Sequence, residues 1–233
     1  MILWVVYAKK LNSWAKLALH GWFLAIGISV ILVYQHHFVD IWTDALVGLM
    51  CLYAIPDAPF AWRWRQPTRR MRSLGLRYSL VGGFLLVSGL ILIKLSGVLA
   101  LVLMWTAIAL LLVAAAYYGL ERQVFQRHKG IMRWPARLML APYLLGSYIS
   151  YRYYTRHLPA CQKIYDNIWL GAFPRAQVIQ MPWVGVLDMT NEFANAPINS
   201  TLQHYLPTMD LTPPSPKVLV KALRWLDNAQ LHG

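Results

Sequence analysis

LGLRYSLVGGFLLVSGLILIKLSGVLALVLMWTAIALLLVAAAYYGL, residues 74–120, is the stretch whose reading decides the fold. It holds two apolar runs, Leu74 to Leu95 and Gly97 to Leu120, joined by the tight turn Lys94-Leu95-Ser96-Gly97. A helix needs about 20 apolar residues to cross a bilayer, and each run is long enough. The pair predicts a helical hairpin. Moving toward the N-terminus, Leu17 to Tyr34 carries no formal charge, with His20 near its start. Ile41 to Ile55 is shorter and contains Asp44, so it suits a membrane only when packed against neighbours. Met1 to Leu11 reads as the end of another helix, because it has neither a basic leader nor a small-residue cleavage site. The expectation is a chain truncated at that end.

Composition divides the chain. Hydrophobic residues make up 58% and charged residues 13%, well away from the soluble balance. Through Arg156, 17 Lys and Arg face four acids, Asp40, Asp44, Asp57 and Glu121. From His157 onward five basic residues meet five acidic ones, so the net charge of +13 lies on the apolar portion. Basic residues set between long apolar runs, rather than along one polar face, point to membrane flanks and away from nucleic acid.

The basic clusters set an orientation. Lys9, Lys10 and Lys16 precede the first full run. Arg63, Arg65, Arg69, Arg70, Arg72 and Arg77 follow the second, and Arg122, Arg127, Lys129, Arg133 and Arg137 follow the fourth. Two crossings separate each successive pair of clusters, so all three face the cytoplasm. Four crossings are expected, with Tyr34–Ile41 and the Lys94–Gly97 turn outside. From Ile131 to Tyr154, arginines mix with Trp134, Leu138, Tyr143 and Tyr148, and Pro135 and Pro142 oppose a continuous span. An amphipathic segment in the headgroup layer is expected there; a fifth crossing is the alternative.

After residue 162 the character changes. Tyr165-Asp166-Asn167-Ile168-Trp169-Leu170-Gly171 is followed by Val184-Gly185-Val186-Leu187-Asp188-Met189-Thr190-Asn191-Glu192. Then come Tyr205-Leu206-Pro207-Thr208-Met209-Asp210-Leu211-Thr212-Pro213-Pro214 and a helical stretch from Pro216 to Ala229. This succession resembles the front of the dual-specificity members of the cysteine-dependent phosphatases. The resemblance implies a His-Cys-x5-Arg loop after one further strand, and residues 1–233 contain none: Cys51 and Cys161 are the only cysteines. The tail is therefore expected to be an incomplete domain, truncated at the C-terminal end as well. The resemblance gives Asp210 the role of the acid that protonates the leaving oxygen; the bland reading makes it a turn residue. Asp188 and Glu192 are expected to be structural. Strands are expected near Ile168–Leu170, Val184–Leu187 and His204–Leu206, with Cys161 before the first. The helix from Pro216 should bury Val218, Leu219, Ala222, Leu223, Trp225 and Leu226.

Tyr34-Gln35-His36-His37-Phe38-Val39-Asp40 carries the second chemical signal. A carboxylate four residues beyond a histidine can bond its ring on a helix, fixing the tautomer and supporting the imidazolium. His36 with Asp40 resembles the last motif, Ser-Arg-x5-His-x3-Asp, of the membrane type 2 phosphatidic acid phosphatases and of the related inositolphosphoryl- and sphingomyelin-type transferases. Ser29 stands seven residues before His36, and Val30 replaces the arginine. The resemblance implies a histidine nucleophile at His36, without the upstream Ser-x-His acid motif.

The expected fold class is a polytopic α-helical membrane region followed by a partial α/β phosphatase-like domain. Its parts are a membrane region over 1–120, a basic and aromatic interfacial linker over 121–162, and the incomplete domain over 163–233. The site residues are His36, Asp40 and Asp210, with no cofactor and no metal. The expected partners are the lipid bilayer and a lipid phosphate substrate, and the expected location is a bacterial inner membrane with the tail in the cytoplasm. In function the chain reads as a membrane phosphatase-family protein for lipid phosphates or phosphoesters, inactive as these 233 residues. A non-catalytic scaffold or pseudoenzyme, or an inositolphosphoryl-type transferase, is the alternative.

Overall fold

A computed structural model describes residues 12–32, 38–56, 62–128, 130–165, 167–173, 180–193 and 200–231. Helices α1 (Ser13–Leu32), α2 (Phe38–Ala54), α3 (Arg69–Leu92) and α4 (Gly97–Ala115) come first. The expected hairpin is α3 and α4, and its packing is written in small residues. Gly75, Gly82 and Gly89 recur every seventh position on α3, as do Ala100, Ala107 and Ala114 on α4, and all six are buried. A Cβ at Gly82 would stand 3.0 Å from Leu111 Cγ, and one at Gly89 2.9 Å from Met104 Cγ and 3.2 Å from the Ala100 carbonyl. Seven residues are about two helical turns, so each stripe stays on one face and lets the backbones approach closely. At the tip, the N–H groups of Leu95 and Ser96 donate to Leu92 O at 3.0 and 2.9 Å, and Ser96 caps α4.

The outward face of α3 is apolar too: Leu80, Phe84 and Ile91 are 65%, 71% and 72% exposed. Among the described residues, two helices are long and apolar enough to cross a membrane: Arg69–Leu92, with 24 residues, and the continuous helical run Gly97–Phe125, with 29. The 17-residue α2 is shorter than a full span, and α1 has 20 residues.

The base of the hairpin is built more tightly than its tip. Beyond α4 the chain passes into a π turn (Ala116–Leu120) and a 3-10 turn (Glu121–Phe125). Gly119 has φ +140°, and a Cβ there would lie 2.3 Å from the Arg65 carbonyl, so glycine alone fits. Residues 62–68, without helix or strand, run beside this turn. Arg65 N–H donates to Gly119 O at 2.9 Å. The Gln123 amide both accepts from Arg63 N–H and donates to Arg63 O, each at 2.6 Å. Tyr53 of α2 donates to Val124 O at 2.6 Å, and Gln126 Nε2 returns a bond to Tyr53 O at 2.7 Å.

A short ribbon follows, β1 (Arg127–His128) with β2 (Ile131–Met132), and then α5 (Trp134–Met139) and α6 (Ala141–Thr155). The stretch 131–154 breaks into helices of six and 15 residues, each shorter than a full span. Pro135 and Pro142 occupy the first turns of the two helices, where a missing N–H costs nothing. Pro135, Ala136, Met139 and Leu140 are buried, so this face of α5 belongs to the core, while Trp134 is 60% exposed. Tyr53, Met71, Val113, Tyr117, Phe125, Met139 and Tyr143 meet in that core, and Met209 of the tail joins them.

The tail holds β3 (Cys161–Tyr165), β4 (Ile168–Gly171), β5 (Trp183–Asp188), β6 (Ser200–Tyr205) and α7 (Pro216–Leu231). The three expected strands are present, with β6 centred earlier than the anticipated His204–Leu206. They do not form one sheet: β3 and β4 make an antiparallel hairpin, and β5 and β6 a separate parallel pair. Cys161 lies inside β3, paired with Gly171, not before the first strand; Cys161 and Cys51 are free thiols. Helix α7 covers β5 by setting Trp225 over Gly185, where a Cβ would be 2.9 Å from the indole. Trp225 also stacks on His204 at 5.7 Å. Ala222 is buried, but Leu219 and Leu223 are 45% and 59% exposed, contrary to expectation. A two-stranded platform is too narrow to cover a whole helix face.

Candidate functional site

The described tail residues with chemical potential converge where the tail meets the base of the hairpin. His36 and the side chain of Asp40 lie outside the described residues. Ser29, the first residue of the same motif, turns its hydroxyl back onto Ile26 O at 2.8 Å within α1.

Asp210 sits in a built turn. After β6, Leu206 N–H donates to Asp188 O at 2.9 Å and Thr208 N–H to Met189 O at 3.0 Å, extending the parallel pairing into the loop. Met209 is buried in the helical core and anchors the loop. Thr212 closes the turn by donating its N–H and its hydroxyl to Met209 O at 3.3 and 2.7 Å. Asp210 carries Oδ1 2.8 Å from the Leu211 N–H, with Leu211 at φ +58°. The carbonyl of Asp210 accepts from the Tyr117 hydroxyl at 3.0 Å. The loop is therefore held through its backbone, and the carboxylate stays exposed.

Behind it lies Glu192, which is 8% exposed, beside the fully buried Asn191. Glu192 Oε2 accepts from Asn191 N–H at 3.3 Å, and Asn191 Nδ2 contacts Met209 Sδ at 3.4 Å. Glu192 Oε1 and Asn191 Oδ1 are buried without a hydrogen-bond partner. Burial first, and the nearby Asp210 charge second, push the Glu192 carboxyl up to about 7, while backbone N–H groups of residues 191, 192 and 210 pull it partly back. Tyr78, Tyr117 and Tyr143 lie within electrostatic reach of Glu192. Tyr78 stacks on Tyr117 with centroids 5.5 Å apart and meets Tyr143 edge-on at 5.9 Å. Phe193 fixes the next position by packing 5.1 Å from Phe173 and 5.5 Å from Tyr151. Glu192 is thus more than the loop residue expected from sequence: it is a carboxyl buried under three tyrosines of the helical base.

The third component is Arg127, whose side chain is 4% exposed. Its Nη2 reaches Asp188 Oδ2 at 3.2 Å and Gly130 O at 2.8 Å, and Nε donates to Gly130 O at 3.1 Å. Nη1 donates to the Thr190 carbonyl. Asp188, in turn, accepts from Thr190 N–H at 2.8 Å and from its hydroxyl at 2.6 Å. Asp188 closes β5 as expected from sequence, and its partner is the linker arginine.

No protein-family model, curated protein or solved structure matches the chain. A carboxyl poised to exchange its proton near neutral pH lies behind an exposed carboxylate, and the two stand beside phenol hydroxyls. Among the described residues no group of three or more His, Cys, Asp or Glu is placed to hold a metal ion. Arg127, Tyr117 and Glu192 were not singled out in the sequence as a site. Their partners lie some 60 to 90 positions away, so no local spacing could have shown them.

Proposed function

We propose that this chain is an integral membrane protein of phosphatase ancestry, whose tail is docked on the cytoplasmic base of a membrane hairpin and does not turn over substrate in residues 1–233. The observation that carries this reading is the Tyr117–Asp210 bond at 3.0 Å, together with the burial of Met209. The loop that would present a leaving-group acid is fastened by its backbone to the helices. Its carboxylate faces outward, as such an acid must, and residues 211–233 hold no cysteine to serve as nucleophile. Four crossings in a bacterial inner membrane, with the tail in the cytoplasm, complete the reading. It is supported by the placement of the arginines: Arg65 pairs with Glu121 at 3.2 Å, so both basic segments flanking the hairpin meet at one end.

Two measurements test this. The first concerns topology. In a background lacking Cys51 and Cys161, single cysteines at Arg70 and at Leu95 should differ in labelling by an impermeant maleimide on intact cells. Leu95→Cys should react and Arg70→Cys should not; equal labelling of both removes the hairpin from the membrane. The second concerns activity. The purified chain should leave both a phosphotyrosine analogue and phosphatidic acid unhydrolysed above background, since losing one member of a catalytic unit typically removes several orders of magnitude in rate. Vanadate-sensitive turnover that vanishes in His36→Ala would instead make His36 and Asp40 a working membrane site.

A further inference from the structure

The segment Trp62-Arg63-Trp64-Arg65 alternates aromatic and cationic side chains, and its backbone is held by Gly119 and Gln123 as described above. Trp62 leans on Tyr53 with ring centroids 6.1 Å apart, and the Trp64 indole lies over Gly119, yet the two remain 39% and 64% exposed. Arg63 and Arg65 are exposed beside them. Directly after it, α3 opens with Arg69, Arg70, Arg72 and then Arg77, all exposed. At 100° per residue these four occupy the half of the helix opposite Met71, Gly75 and Gly82, which face α4. Arg122 is exposed on the 3-10 turn, and Arg137 and the 60%-exposed Trp134 lie on α5. Arginine forks and indole rings gathered at one end of an apolar hairpin form a belt suited to the headgroup layer; among the described residues, Glu121 pairs with it at Arg65.

We propose that this belt is a binding surface for anionic phospholipid headgroups, with Arg69, Arg70, Arg72 and Arg77 as its main phosphate contacts and Trp62, Trp64 and Trp134 seated at the acyl boundary. The proposal rests on the membrane reading above and adds to it a lipid class. Guanidinium groups bind phosphate through two parallel N–H bonds, which a lysine cannot copy. Zwitterionic lipid offers the same phosphate but cancels its charge with choline, so a preference for net-anionic lipid is the expected signature. Each basic residue near an anionic surface contributes about 1 kcal/mol, or about fivefold in affinity.

The test uses the full chain in neutral detergent, titrated separately with phosphatidylglycerol and phosphatidylcholine, with bound lipid counted by native mass spectrometry. The wild type should retain phosphatidylglycerol at least about tenfold better, and the preference should fall as KCl is raised. Replacing Arg69, Arg70, Arg72 and Arg77 together by Gln should bring the two lipids within about twofold. Arg224→Gln, on the exposed face of α7, should leave the preference unchanged. Should the quadruple variant fail to fold, the wild-type lipid ratio and its salt dependence decide the matter alone. Equal retention of both lipids by the wild type, or a preference that ignores salt, overturns the proposal while leaving the topology result intact. Extraction of the chain from membranes by alkaline carbonate would overturn the membrane reading itself.

Discussion

Arg127→Met should release the tail from the helical base. The guanidinium is buried and bridges Asp188, Gly130 and Thr190, so its loss strips β5 of its link to the ribbon. It also leaves the 18%-exposed Asp188 carboxylate without its cation. Removing one partner of a buried ion pair costs about 3–5 kcal/mol, because the remaining charge stays desolvated. Here Asp188 keeps its bonds to Thr190, which places the expected loss near the lower end. Arg127→Lys should recover little, since one ammonium cannot reach carboxylate and carbonyls on both sides of the fork. Limited proteolysis reads the effect directly: the link between α6 and β3 should be cut far faster in Arg127→Met, while the hairpin fragment survives. Unchanged proteolysis and melting would show that the tail is held by other contacts.

Raising the pH through the range from about 4.5 to 7 should weaken tail docking, and Glu192→Gln should abolish that dependence. The Glu192 carboxyl has its ordinary value of 4.5 when free and is pushed up to about 7 when docked. The docked state therefore binds the proton more tightly, and stability falls as pH rises wherever the docked state holds more protons. Below pH 4.5 both states are protonated and docking is undiminished; above about 7 both are ionised and the full cost is present. That cost is about 3 kcal/mol, at 1.36 kcal/mol for each pH unit of displacement. The groups facing Glu192 are Asp210 from its own loop layer, Tyr78 from α3, Tyr117 from the π turn and Tyr143 from α6. Phenols ordinarily titrate at about 10, well above this range, so the profile belongs to Glu192. Melting of wild type and Glu192→Gln in parallel from pH 5.5 to 8 tests it: the variant should gain on the wild type steadily up to pH 7. A constant difference across that range would exclude Glu192 as the titrating group.

The two carboxyls show why the site was only half legible. Asp210 was singled out through the phosphatase resemblance, which rests on a strand followed by a Pro-Pro turn that one segment can display. Glu192 gave no such signal: a glutamate after a strand is ordinarily solvated. Its burial depends on Tyr117 and Tyr143, which come from two other elements and arrive only when the tail docks. The α7 helix failed in the opposite sense. Its apolar positions at Leu219 and Leu223 have helical spacing, but spacing cannot say how wide the supporting sheet is. With β3 and β4 pairing with each other, only β5 and β6 were left beneath it.

Run length and the Lys94–Gly97 break make the hairpin legible in the sequence, and a count of Lys and Arg shows the charge on the apolar portion. Three strands and the last helix are legible too, since β-branched runs and a first-turn proline act locally; β3, which pairs with β4, and the β1–β2 ribbon are not. Only the tertiary structure decided that Pro135 and Pro142 begin helices rather than interrupt one, because burial of Met139 and Leu140 against the core selects that geometry. Tertiary structure likewise decided that Gln123 would fasten Arg63, that Arg127 would hold Asp188, and that a glutamate would lie beneath three tyrosines. Those contacts join residues some 50 to more than 100 positions apart, and burial and charge pairing, not spacing along the chain, select them.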